Sequence, residues 1–159
     1  MIKVAATTDD GLIKAVLGHP VIWKTVSDGD VKINDYPIDH NDTVWLVMSV
    51  DNSIIAMYNF ESLNKVSIRI HAHVLPAYRE EYSRQTGLEA LRWVKDNESW
   101  VNKVIAEVPT LYPNVANFAI SLGFKDEGLN RASYFKQGSI YDQWMLGITI
   151  DEIRETLNE

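Results

Sequence analysis

The spacing of apolar residues changes period several times along the chain, and each change marks a new element. Ile2 to Ala6 predicts a short first strand. Thr8, Asp9 and Asp10 then supply N-cap oxygens for a helix that ends near Gly18. Pro20 opens a second helix through Val21, Ile22, Trp23 and Val26, closed by a Ser27-Asp28-Gly29-Asp30 turn. Residues 31–42 are polar and Asp-rich, which predicts an exposed loop. Thr43 to Val50 and Ser53 to Glu61 are β-rich runs, and Asp51-Asn52 between them suits a tight hairpin. Lys65 to Leu75 alternates, with Val66, Ile68, Ile70, Ala72 and Val74 on one face of a strand. Ser67, Arg69, His71 and His73 fall on the other, and Pro76 ends the run.

From Glu80 to about Asn97 the period becomes helical, with Gly87, Ala90, Leu91 and Val94 forming one stripe. Lys103 to Val108 is a short buried strand closed by Pro109. A helix from about Asn114 to Leu122 stops at Gly123. Gly128 to Lys136 and Ile140 to Ile148 form a hairpin about Gln137-Gly138-Ser139, and Ile150 to Leu157 forms a last helix. The order β-α-α-β-β-β-α-β-α-β-β-α predicts a mixed α/β (α+β) domain spanning residues 1–159, without a doubly wound or barrel rhythm. Lys65–Leu75 and Lys103–Val108, joined by the central helix, should lie parallel.

Composition narrows the function classes. The chain has 159 residues, 46% hydrophobic and 23% charged, enough to bury a continuous core. Its net charge of −7 argues against general nucleic-acid binding, which needs a basic surplus to displace counterions. It has no cysteine, so disulfides, thiolate zinc sites and cysteine nucleophiles are excluded. The apolar runs Val44 to Val50 and Ile54 to Tyr58 fall well short of the ~20 residues that span a bilayer, so no membrane partner is expected. The opening residues do not form a secretory signal, and a cytoplasmic protein is the simplest expectation.

The most informative stretch is a strand breaking at Leu75-Pro76-Ala77-Tyr78-Arg79 into a helix. Backbone N–H groups at a helix start, with the dipole, can seat a phosphate or pyrophosphate. Arg79 and Arg84 stand at that entrance and Arg69 on the strand before it, three of only six arginines. The competing reading pairs Arg79 and Arg84 with Glu80 and Glu81 on a solvated first turn. His71 and His73 share one strand face. They are candidates for a proton acceptor pair, since imidazole titrates near neutrality, or for polar residues on the margin of a sheet. A metal site would need a third ligand from as far away as Asp39 or His40, and no metal is expected. Among five tryptophans, Trp45, Trp93 and Trp144 fall in regular elements and suit the core or its margin. The Asp-rich stretch from Asp35 to Asp42 is either a solvated loop or an attraction for a cationic amine.

The run His71-Ala72-His73-Val74-Leu75-Pro76-Ala77-Tyr78-Arg79, with the helix through Trp93, resembles the acetyl-CoA-binding strand–loop–helix of GCN5-related N-acetyltransferases (GNAT). Leu122-Gly123-Phe124-Lys125-Asp126-Glu127-Gly128-Leu129-Asn130-Arg131 is similar to that superfamily's "GF…EG…R" segment. Gln137-Gly138-Ser139-Ile140-Tyr141-Asp142 and Leu146-Gly147-Ile148 look like its closing hairpin. The likeness covers roughly residues 43–150 and is nearest to the small acetyltransferase-like proteins of tailed bacteriophages and prophages. It implies the acyl-CoA N-acyltransferase-like fold, with a twisted, mostly antiparallel sheet splayed between its fourth and fifth strands.

The resemblance also implies acetyl-CoA as co-substrate, with Val74 and Leu75 along its arm. Arg79, Tyr82, Ser83, Arg84, Gln85 and Thr86 would form the pyrophosphate loop, and Asn114 would contribute from the following helix. Direct attack by an amine would use His73 as base, with His71 relaying through water. Trp23 would border the acceptor side. Tyr82 and Arg84 stand where the family has loop glycines, and Ala119 where it has a tyrosine acid. Two functions follow from these matches and departures. One is an N-acetyltransferase acting on a small molecule or protein amine, in the host cytoplasm if phage-encoded. The other is a non-catalytic protein of particle assembly or the virion interior. A homodimer and a phage or host protein are the candidate partners.

Overall fold

The structure, a computed structural model, describes residues 1–27 and 31–159. The expected turn at Asp28-Gly29-Asp30 lies outside the described residues. The chain folds as two compact units, Met1–Glu61 with His71–Ala90, and Ser62–Ile70 with Leu91–Glu159. From one edge to the other, the hydrogen-bonded strands are Lys3–Thr7, Thr43–Val50, Ser53–Ser62, Ser67–Val74, Lys103–Pro109, Ser139–Thr149 and Lys125–Lys136.

The first unit opens with β1 (Lys3–Thr7), α1 (Asp10–Leu17) and α2 (Pro20–Val26). Asp9 caps α1, its Oδ1 accepting the Leu12 N–H at 3.1 Å, and Pro20 starts α2 because the N–H it lacks has no helical partner there. β2 (Thr43–Val50) and β3 (Ser53–Ser62) form the expected hairpin. Asp51 and Asn52 carry it with φ of 49° and 67°, the left-handed pair a two-residue turn requires. Ile13, Val16, Leu17, Ile22, Trp45 and Met57 make the core, each contributing on the order of 1.5–3 kcal/mol by burial.

The loop expected over residues 31–42 is more structured than its polarity suggested. A 3-10 turn spans Ile33–Asp35, and Ile33, Tyr36 and Ile38 pack against that core. Exposed Asp35 among them, and Asp39 and Asp42 beyond them, face solvent. β4 (Ser67–Val74) is shorter than Lys65 to Leu75. Asn64 Oδ1 accepts the N–H groups of Val66 and Ser67 at 2.9 Å, replacing strand pairing there. Its apolar face is also unevenly covered: Ile68 and Val74 are buried, whereas Val66 and Ala72 are exposed. A 3-10 turn over Pro76–Tyr78 then leads directly into α3 (Arg79–Asn97).

In the second unit β4 pairs parallel with β5 (Lys103–Pro109), from Ser67↔Lys103 to Arg69↔Ile105. The crossover through α3 is therefore the predicted one, and its stripe Gly87, Ala90, Leu91 and Val94 is buried. α4 (Pro113–Ser121), the antiparallel β6 (Lys125–Lys136) and β7 (Ser139–Thr149), and α5 (Ile150–Leu157) complete this unit. A reciprocal capping box between Thr149 and Glu152 starts α5. Gly123 ends α4 with φ of 105°, and a Cβ there would stand 2.6 Å from Thr156 Oγ1. Gly123→Ala should therefore lower unfolding free energy by about 1–2 kcal/mol in urea titrations. An unchanged midpoint would show that this turn relaxes without cost.

Candidate active site

The end of β4 and the start of α3 lie in the first unit and carry every candidate site residue except Asn114. His71 and His73 leave β4 on one face. His71 is exposed, whereas His73 is half-buried and its Nε2 lies 2.9 Å from Oδ1 of Asn59 on β3. Burial, and secondarily the charge of His71, push the His73 pKa down to about 3. A base titrating near neutrality was expected at His73, whereas covering the ring disfavours its imidazolium. Asn59 went unnoticed in the sequence, although a lone amide within Ile54–Phe60 was its available signal.

Arg79 turns back over the strand end, its Nε donating to the Val74 carbonyl at 3.0 Å. Val74 is buried and Leu75 half-buried against the core of this unit. Arg69 lies in the second unit, where its Nη2 is 3.4 Å from Glu107 Oε1, so it belongs to an ion pair rather than to the arginine entrance.

The helix expected from Glu80 begins at Arg79, so residues 79–86, which the family likeness gave as the pyrophosphate loop, are all α-helical. The stretch Arg79-Glu80-Glu81-Tyr82-Ser83-Arg84-Gln85-Thr86 contains neither glycine nor proline, and most of it favours a helix. Upstream, Pro76 has no N–H, and those of Tyr78 and Arg79 donate to the Leu75 and Pro76 carbonyls. The Tyr78 and Arg79 N–H groups are thereby engaged within this turn. The side chains of residues 79–86 are the other candidates for contact with an anion.

Those side chains have mixed suitability. Arg79, Arg84 and Gln85 are exposed, while Tyr82 and Ser83 are half-buried. Thr86 is fully buried, its hydroxyl 2.9 Å from Tyr58 Oη and donating to the Ser83 carbonyl. Its hydroxyl thus braces the helix against β3, although Thr86 was expected among the phosphate contacts. The Tyr82 phenol is raised above its ordinary value by desolvation first, then by Glu81 and, more weakly, Asp51. With Glu80 also exposed in the first turn of α3, negative charge collects where a pyrophosphate was expected.

Asn114 lies in the second unit, exposed in the first turn of α4. Ala119, standing where a tyrosine acid was sought, is buried. Trp45 is buried as expected, and Trp93 and Trp144 are half-buried. Trp23 packs edge-on against Tyr36, with ring centroids 5.3 Å apart. Among the described residues, no three His, Cys, Asp or Glu side chains converge as metal ligands. No described helix is long and apolar enough to cross a membrane.

Comparison with solved structures shows the GNAT acyltransferase fold. The spermidine N-acetyltransferase of Vibrio cholerae, in complex with CoA and spermine, superposes with a TM-score of 0.80 at 15% identity, covering 96% of this chain and 97% of that one. The same enzyme with manganese ions gives 0.72 at 15% identity, over 99% and 95%. A protein assigned as a phosphinothricin N-acetyltransferase gives 0.76 at 16% identity, over 94% and 99%. A search of curated proteins found no match. One family model, described as "Protein of unknown function (DUF2824)", matches residues 2–123.

Proposed function

Because the chain belongs to the DUF2824 family, whose description carries no activity, we propose its function from fold and site: acetyl-CoA-dependent acetyl transfer to an amine of a small molecule or protein. The observation that carries this reading is the near full-length likeness to N-acetyltransferase structures. That likeness extends across both units, and β4 and α3 each run through both, so residues 1–159 are taken as one GNAT-like domain. Val74 and Leu75 would line the acetyl-CoA arm. Arg79 and Arg84, helped by Tyr82, Ser83, Gln85 and Asn114, would hold its phosphates through side chains.

The amine nitrogen attacks the thioester carbon, the C–S bond breaks, and CoA leaves as a thiolate that water protonates. Exposed His71, directly or through one water, is the proton acceptor in this scheme. His73, neutral at working pH, accepts or donates a hydrogen bond and orients the incoming amine. Without a tyrosine at position 119, turnover would be slow.

A second reading is favoured by the helical path of residues 79–86 and by the carboxylates of Asp51, Glu80 and Glu81 beside it. In it the fold is retained without catalysis, in phage particle assembly or inside the virion. Calorimetry with acetyl-CoA, followed by thiol release over a panel of amines, separates the two. Saturable binding with thiol release supports transfer. Absence of binding at about 1 mM, the upper end of ordinary KM values, supports the non-catalytic protein.

A further inference from the structure

We propose that the free edge of β1 is a docking site for an extended segment of a partner protein, added as a further strand and carrying a lysine or arginine over the cavity where β1 ends. Among the described residues, β1 is hydrogen-bonded on one side only, to β2, from Lys3↔Ser49 to Thr7↔Trp45. Its other side presents a row of backbone donors and acceptors, the template on which a strand can pair. None of its five residues is buried. The stretch Lys3-Val4-Ala5-Ala6-Thr7 has no proline, no register shift and only small side chains at its centre.

β6 shows how this chain guards an edge. Among the described residues it too is paired on one side only, with β7, but its register shifts between Asp126 and Leu129 and again between Asn130 and Tyr134. Gly128 and Ala132 take φ of 126° and 51°, and the Ala132 N–H donates to Asp142 Oδ1 at 2.8 Å. Such bulges spoil a continuous pairing surface. β1 has none.

The end of β1 opens into a cavity of about 290 Å³, lined by Ala6, Thr7 and Thr8, by His40, and by Thr43 and Trp45 from the start of β2. Two carboxylates bond to its lining residues, Asp10 to His40 and Asp39 to Thr43. Asp10 Oδ1 is 2.6 Å from His40 Nε2. Asp39 accepts from the Asn41 and Asp42 N–H groups and the Thr43 hydroxyl, which hold its carboxyl below the usual range. Asp9 and Asp42 adjoin Thr8 and Thr43 in sequence. Main-chain bonds to β1 would supply affinity, and a cationic side chain reaching the cavity would supply selectivity.

The test uses the full chain, isotope-labelled, and two capped seven-residue peptides of alternating threonine and valine, one with a central lysine and its twin with a central glutamate. The lysine peptide should saturate by about 1 mM, shift and protect amides of residues 3–7, and bind about ten-fold tighter than the glutamate peptide. That preference should fall to about two-fold in ~0.5 M NaCl and in the Asp10→Asn/Asp42→Asn variant. Equal binding of the two peptides, shifts confined to other elements, or no saturation by about 5 mM would each overturn the proposal. So would a concentration-dependent dimer that protects β1 without peptide, since the occupant would then be a second copy. Acetyl-CoA binding plays no part in this readout, so the result stands apart from the proposed enzymatic function.

Discussion

Lowering the pH from about 6.5 towards 3 is expected to strip folding stability at up to ~1.4 kcal/mol per pH unit through His73 alone. The folded pKa is depressed to about 3, whereas an unfolded histidine titrates near 6.5. Within that window the unfolded chain binds a proton that the folded chain refuses, so stability rises with pH. Below the window both states are protonated and the penalty is complete. The covered ring of His73 and its bond to Asn59 have to be disrupted, or the imidazolium accommodated beside His71. His73→Gln keeps an amide able to meet Asn59 and carries no titratable group. Its urea midpoints, compared with those of the parent between pH 4 and 7, should lose the parent's extra slope. Parallel curves for both proteins would mean that His73 is hydrated and titrates normally.

Removing both Arg79 and Arg84 as alanines should weaken acetyl-CoA binding by about 2 kcal/mol or more, roughly thirty-fold, if the proposed function is correct. Each charge-assisted bond contributes ~1.5–3 kcal/mol, and the helical path of residues 79–86 leaves little backbone to compensate. The opposite change tests the same idea with the opposite sign. Glu80→Gln with Glu81→Gln removes two carboxylates from the first turn of α3 and should tighten binding, most visibly at low salt. Calorimetry of the parent and the two double variants at two salt concentrations reads both effects. Equal affinities throughout would place the phosphate contacts elsewhere.

Much of this fold was legible because its signals are local. Asp51-Asn52 between two β-rich runs, Pro20 at a helix start and the stripe from Gly87 to Val94 each report a backbone preference within a few residues. The helical path of 79–86 was legible by the same logic. All eight of those residues are polar or aromatic with no glycine among them, and the reading from periodicity started the helix at Glu80, one residue from its observed start. The trimmed start of β4 depended on Asn64, whose side chain competes with strand pairing only once the neighbouring N–H groups are in reach.

By itself, then, the sequence determined the order of elements, the parallel crossover and the pair of histidines on one strand face, since period and turn chemistry act over short separations. Only the tertiary structure decided what those histidines are. Asn59 lies fourteen residues from His73, and burial of that ring depends on which segments cover it, so its pKa could not be read from alternation. Thr86 and Tyr58 meet across twenty-eight residues for the same reason. Desolvation and hydrogen bonding are properties of packed neighbours, and neighbours distant in the chain become known only when it folds.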